Sequence, residues 1–387
     1  MFAVFNPARK AALVFLALAS AAFLAACDTT VGGGPTINTS KPVHVALLVP
    51  KGSTHPGDAV LAQSLENAAR MAIADLGDVQ IDLRVYDTAG SPATASTVAV
   101  QAVKDGAQII LGPVYAESAN AVGVAVRSSN VNVLSFSNNP SIAGGNVFVL
   151  GPTFNNTANR LVSYAASQGK GTMLVVHSND VAGQSGRDAI HQAAKSAGAK
   201  VAGTVAYDRS QQGVIASVSQ IRDQVRSTGA QALFTTATTA GALPLLSQLL
   251  PEAGVDPTVT QYIGLTRWDI PEQTLALPGV QGGWFALPDP GVSQRFRTRY
   301  QTAYGGAPHP IGGLAYDGIA AIGALVGAGK SDALTGAALT QAAGFQGVGG
   351  IFRLRGDGTN ERGMAVATIQ NRQVVVIDPA PTSFAGL

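Results

Sequence analysis

Short valine-rich runs alternate with helical stretches along this chain, and the alternation starts twice. Residues 43–49 form a brief apolar run rich in valine, which reads as a buried strand. Residues 58–76 place Leu61, Leu65, Ala68, Ala72 and Leu76 on one helical face. Residues 79–86 alternate as a strand does. Ser91 and Pro92 then supply a helix cap and a first-turn proline, and Gly106 supplies the stop. Residues 108–111 predict a strand, 118–129 a helix and 131–136 a strand. From residue 172 the pattern restarts, with strands at 172–177, 200–207, 231–236 and near 258–263. Helices at 186–197, 214–227 and near 243–253 lie between them. Strands separated by helices pair in parallel and are covered on both faces. The expected fold class is therefore α/β in two arrays. The tail differs: residues 351–354, a turn at Asp357-Gly358, then 363–370 and 373–377 around Asn371-Arg372 read as an antiparallel ribbon.

Size agrees with two arrays. Roughly 350 residues exceed what one core usually holds, so two lobes are expected. The single cysteine, Cys27, excludes a disulfide framework, so burial must stabilise the fold. No solenoid repeat interrupts the pattern.

Ahead of the first strand, Arg9 and Lys10 precede an apolar run ending in Leu24-Ala25-Ala26-Cys27. A basic flank, a short apolar core and small residues at a cut site make a secretory signal over residues 1–26. The run is too short for a confident membrane span. Its ending resembles the bacterial lipobox, which implies cleavage before Cys27 and a lipid on the Cys27 sulfur. A plain cleaved signal, with Cys27 a bystander, is the alternative. The leader takes two of the 25 basic residues and none of the 23 acidic ones, so the mature chain is neutral. Neutrality argues against nucleic acid, which demands a basic footprint. Residues 27–42, with Gly32-Gly33-Gly34-Pro35, read as a flexible tether.

Several ordered segments resemble the type I periplasmic binding fold of the leucine/isoleucine/valine-binding proteins. They are Val45 to Pro50, Leu111-Gly112-Pro113-Val114, and Leu134 through Asn139-Pro140. Gly151-Pro152-Thr153, Leu314-Ala315-Tyr316-Asp317 and Gly350-Ile351-Phe352 follow. The resemblance implies two parallel-sheet lobes flanked by helices, with three interlobe crossings near Pro152, Phe285-Ala286 and Gly350. Lobe 1 would be 43–152 with 287–349, and lobe 2 would be 153–286 with 350–380. A ligand would sit between the lobes at the carboxyl ends of the strands. Arg267-Trp268-Asp269 with Val280 through Ala286, and Gly347 through Gly363, are similar to lipoproteins called penicillin-binding protein activators. Some of those carry an N-terminal helical-repeat half that this chain lacks.

Amino-acid binders of this fold offer small hydroxyl residues and amides after Gly-Pro-Val. Here Tyr115 fills carboxylate space, Glu117 repels an anion if it turns inward, and Ser118 follows. Ser137, Asn138 and Asn139 match a second contact loop. Ligand binding and loop capping are both open to them. In lobe 2, the stretch with Asn179 and Asp180 lacks the family's closing aromatic, as does the strand end at Thr236. Arg267 and Trp268 stand where an acidic ammonium partner is expected. They suit an anionic or sugar-like group, a protein contact, or plain interlobe packing. Trp284 reads as structural. With the usual zwitterion clamp dismantled, no tight binding of leucine, isoleucine or valine is expected.

Enzyme patterns fail individually. Arg187 replaces the last glycine of a nucleophile elbow in Gly183-Gln184-Ser185-Gly186-Arg187. Gly169-Lys170-Gly171-Thr172 precedes a strand and lacks the phosphate-loop spacing. The five histidines show no metal-ligand spacing. Asp82 and Asp87 read as strand-end polars rather than a catalytic pair. Neither a cofactor nor a metal is expected. Two functions remain, and the pocket departures with Gly282-Gly283-Trp284-Phe285 favour the first. It is a non-enzymatic penicillin-binding protein activator bound to a peptidoglycan synthase. The alternative is the binding component of an ABC importer docking a permease and carrying a branched-chain amino acid or related small polar solute. Both place the protein in the periplasm on a lipid anchor.

Overall fold

A computed structural model describes residues 33–385. The signal segment and Cys27 lie outside the described residues. Strand β1 (Val43–Val49) is buried because its alternate side chains feed two cores. Val45, Leu47 and Val49 face one layer of helices, and Ala46 and Leu48 face the other. That explains a run without polar alternation.

Lobe 1 is a parallel sheet in the order β2-β1-β3-β4-β5, with β2 (Ile81–Asp87), β3 (Ile109–Leu111), β4 (Asn132–Ser135) and β5 (Val147–Val149). Its first helices are α1 (Asp58–Ala74), α2 (Pro92–Lys104) and α3 (Ala116–Val126). The Ser91 side chain accepts from the Thr94 amide and Pro92 opens α2, as the sequence predicts.

Lobe 2 begins with α4 (Phe154–Ser167), held by a capping box in which Thr153 and Asn156 satisfy each other's backbone. Then come β6 (Thr172–Ser178), α5 (Val181–Ala197), β7 (Lys200–Tyr207) and α6 (Gln211–Thr228). They are followed by β8 (Ala232–Thr235), α7 (Leu243–Glu252), β9 (Gln261–Gly264) and β10 (Trp284–Leu287). The chain then returns to lobe 1 for α8 (Pro290–Tyr304), α9 (Gly313–Gly327) and the short α10 (Gly336–Leu339). It closes with β11 (Phe345–Gly347), β12 (Gly350–Leu354), β13 (Asn360–Arg362), β14 (Ala365–Gln370) and β15 (Gln373–Asp378). The lobe 2 sheet runs β15-β14-β10-β9-β8-β6-β7, with only its β14 and β15 edge antiparallel. Asn371 and Arg372 both take positive φ, which builds the tight hairpin turn the tail predicts.

Two boundaries differ from expectation. β11, β12 and β13 form a small sheet of their own, and Phe345, Phe352 and Leu354 bury in the lobe 1 core. The third crossing therefore falls after Arg362, not at Gly350. Residues 33–38 are not a free tether either. Ile37 is buried in the lobe 1 core, because side-chain amides of lobe 1 hold the backbone before it.

Candidate functional site

In each lobe the strand order reverses once, between β1 and β3 and between β6 and β8. Open α/β sheets bind ligands at the carboxyl ends beside such a reversal, where two loops part and leave a crevice.

At the lobe 1 reversal the crevice is filled. Asp58, in the first turn of α1, is only 5% exposed. The Tyr115 hydroxyl donates to its Oδ1 at 2.5 Å. Burial first, and then the carboxylate, push the Tyr115 pKa up to about 12. His55 stacks edge-on against the Tyr115 ring, with Nδ1 3.8 Å from Asp58 Oδ2. Ser118 is buried, and its hydroxyl has no partner among the described residues. Glu117 is exposed. The second loop resolves toward capping. Ser137 Oγ accepts from the Asn139 amide at 3.1 Å, and Asn139 Oδ1 accepts from the Ser141 amide at 3.0 Å. Asn138 is exposed.

At the lobe 2 reversal there is open space. A cavity of about 500 Å³ is lined by Phe154, Ser178, Asp180, Tyr207, Arg209, Ser210, Thr236, Thr238 and Thr266, among others. Its walls are the ends of β6, β7, β8 and β9 and the first turns of α4, α5, α6 and α7. Asp180 caps α5 through the Gly183 amide at 2.7 Å, accepts from Ser178 Oγ at 3.0 Å, and sits 3.0 Å from the Arg209 guanidinium. The Gly183 bond, more than any other contact, holds its carboxyl below the ordinary range. Tyr207 is buried, and burial pushes its phenol up to about 12. The cavity thus offers hydroxyls, the Asp180 carboxylate paired with one guanidinium whose side chain is 72% exposed, and two aromatic walls.

Asp180 and Thr236 are where the sequence placed them. Asn179 is exposed and bonds to Asp208 instead. Arg267 and Trp268 are corrections. Arg267 turns to Asp269, its Nε 2.8 Å from Oδ1. Trp268 is 0% exposed, seated in the lobe 2 core. A side chain at Gly264 or Gly283 would collide with the indole at 2.2 or 2.3 Å, so those two glycines make its room. Neither residue lines the cavity, because Trp268 is seated in the core and Arg267 is held by Asp269. The aromatics missing at the expected places come instead from Phe154 and Tyr207. Arg209 and Ser210 were legible in principle, since they lie two and three residues past a recognised strand end. A larger cavity of about 690 Å³ lies along the crossings, lined by Asn156, Arg160, Asn360 and Arg362 among others. It lies away from the two strand-order reversals, so position rather than volume selects the lobe 2 site.

Two α/β lobes joined by three crossings, with a polar cavity at the strand carboxyl ends, define a two-lobed binding protein. The chain belongs to the periplasmic binding protein family, which it matches over residues 42–373. Solved structures agree on the type I fold. A provisionally assigned branched-chain amino acid ABC transporter protein of Rhodospirillum rubrum superposes with a TM-score of 0.73 at 18% identity, covering 87% of this chain and 100% of that one. A branched-chain amino acid ABC transporter periplasmic ligand-binding protein of Burkholderia xenovorans gives 0.66 at 18% identity, with 87% and 96% covered. A leucine-binding protein of Thermotoga maritima gives 0.56 at 18%, with 87% and 98% covered. An uncharacterized protein of Rickettsia prowazekii is 25% identical over 167 residues, 42% of this chain and 44% of that protein. That alignment spans less than half of the curated relative.

Proposed function

We propose that this protein is the substrate-binding component of an ABC importer, held in the periplasm by a lipid on Cys27. The observation that carries the reading is the lobe 2 cavity: hydroxyls and Arg209 at the strand reversal of a periplasmic binding fold. Its ligand is a small polar solute, amino acids included, with an acidic group directed to Arg209. The partner is a membrane permease. The activator reading has lost its contact residues, since Trp268 is buried and Arg267 is paired with Asp269.

Thermal melts against a panel of amino acids and small organic acids test this. A ligand that binds only the folded state stabilises it by about 2.7 kcal/mol at a hundredfold excess over its dissociation constant. A shift with at least one panel member, lost in Arg209→Ala, supports the importer reading. No shift with any member, together with capture of a peptidoglycan synthase from membrane extract, returns the activator.

A further inference from the structure

The segment before β1 lies folded onto lobe 1 as a strap. Asn132 Nδ2 donates to the Gly33 carbonyl at 2.9 Å and to the Leu334 carbonyl at 2.8 Å. Asn130 Nδ2 donates to the Gly34 carbonyl at 2.7 Å. The Ile37 amide donates to the Ser331 carbonyl at 2.8 Å, and the Ile37 side chain is 4% exposed. Gly34 passes so close that a Cβ there would stand 2.5 Å from Thr335 Cα. All these contacts lie at the amino ends of the lobe 1 strands, since Asn132 opens β4 and the strap leads into Val43. The ligand mouth is at the opposite, carboxyl ends.

We propose that this strap holds the base of lobe 1 against the lipid surface that carries Cys27, with the ligand mouth turned away from that membrane. The inference rests on lipid attachment at Cys27, and it is independent of which solute binds. Six peptide steps separate Cys27 from Gly33, a reach of at most roughly 20 Å. The six steps of β1 alone rise about 20 Å from base to mouth, the whole reach of that leash before any loop is added. A leash that short, fixed at the base, does not pass around the lobe, so the inverted orientation is closed while the strap is docked. If residues 33–41 peel away, the leash grows to roughly 50 Å and the mouth can face the membrane. Docking to a permease in the same membrane therefore requires the strap to detach.

The test uses the full lipidated protein in phosphatidylcholine vesicles. A donor dye is placed at Lys330→Cys, on the base, or at Glu117→Cys, at the mouth, with acceptor dyes on lipid headgroups. Energy transfer is expected to be higher from the base site. The difference should vanish when a ~20-residue Gly/Ser linker is inserted after Thr30, which lengthens the leash and leaves the strap docked. It should also vanish in Gly34→Val, which expels the strap. Equal transfer from both sites on the unmodified leash, or higher transfer from the mouth, overturns the proposal. A mature protein with a free Cys27 thiol overturns it as well. Ligand-induced melting shifts read the importer function separately and are expected whatever the orientation.

Discussion

The Asp317 carboxylate and the Arg362 guanidinium meet at 2.9 Å beside the first and third crossings. Asp317 belongs to α9 of lobe 1 and its other oxygen accepts from the Val348 amide at 2.7 Å. Arg362 ends β13, at the third crossing, and also donates to the Leu150 carbonyl at the first. Their side chains are 1% and 11% exposed. One buried pair thus ties two crossings to the lobe 1 core and fixes the path of the strands between lobes.

Removing one partner leaves a buried charge without its counterpart. Arg362→Met is expected to destabilise the protein by about 3–5 kcal/mol. Adding Asp317→Asn should recover part of that loss, because the stranded charge is gone. Urea denaturation of both singles and the double checks this. Additive effects would show that the two residues are not coupled.

Trp268 fills a slot bounded by Gly264 and Gly283, so its loss opens a cavity. Trp268→Ala should cost about 3–5 kcal/mol, with Trp268→Phe milder. Gly264→Ala should destabilise from the other side, by pushing the indole out of place. Thermal melts settle it: a Trp268→Ala protein with an unchanged melting temperature contradicts the core assignment.

Arg209 is largely exposed and its pair with Asp180 is solvated. Arg209→Ala should therefore change stability by no more than about 1 kcal/mol while abolishing the ligand-induced shift. Asp180→Ala should cost about 1 kcal/mol of stability, because it also removes the α5 cap. Calorimetric titration with any ligand found in the panel separates the two effects.

His191 and His309 bear on stability near neutral pH. Burial lowers both below the ordinary value of 6.5, with Arg187 adding to the effect at His191. Between their folded pKa values and 6.5 the unfolded chain binds more protons, so their contribution falls as pH drops below 6.5. The lowered Asp75 and Asp180 act only below 3.8, outside this window. Asp317, raised by burial, acts with the opposite sign, so the histidine share is read as a difference. Stability measured from pH 7.5 to 5 should fall less in His191→Gln/His309→Asn than in wild type. Parallel curves would disprove the assignment.

Local pattern alone specified the alternating α/β plan, two strands residue for residue, and the α2 cap. Val43–Val49 and Lys200–Tyr207 stand as the apolar runs predict, since a strand's identity is written in its own side chains. Helices α8 and α9 carried no such signal. α9 is apolar on nearly every side because lobe 1 surrounds it, and α8 buries only Phe296 and Tyr300. Neither shows the one-sided stripe that marks a surface helix. Tertiary structure decided the site. Asp180 and Thr236 were legible as strand-end polars, but Arg209, Tyr207 and Phe154 join them only because four strand ends and four helix starts converge. It also decided that Trp268 is core, that residues 33–38 dock, and that Asp317 finds Arg362 across 45 positions of chain. Burial and partnership depend on which distant segments return to a place. That return is set by the crossings and the sheet order, which no local window contains.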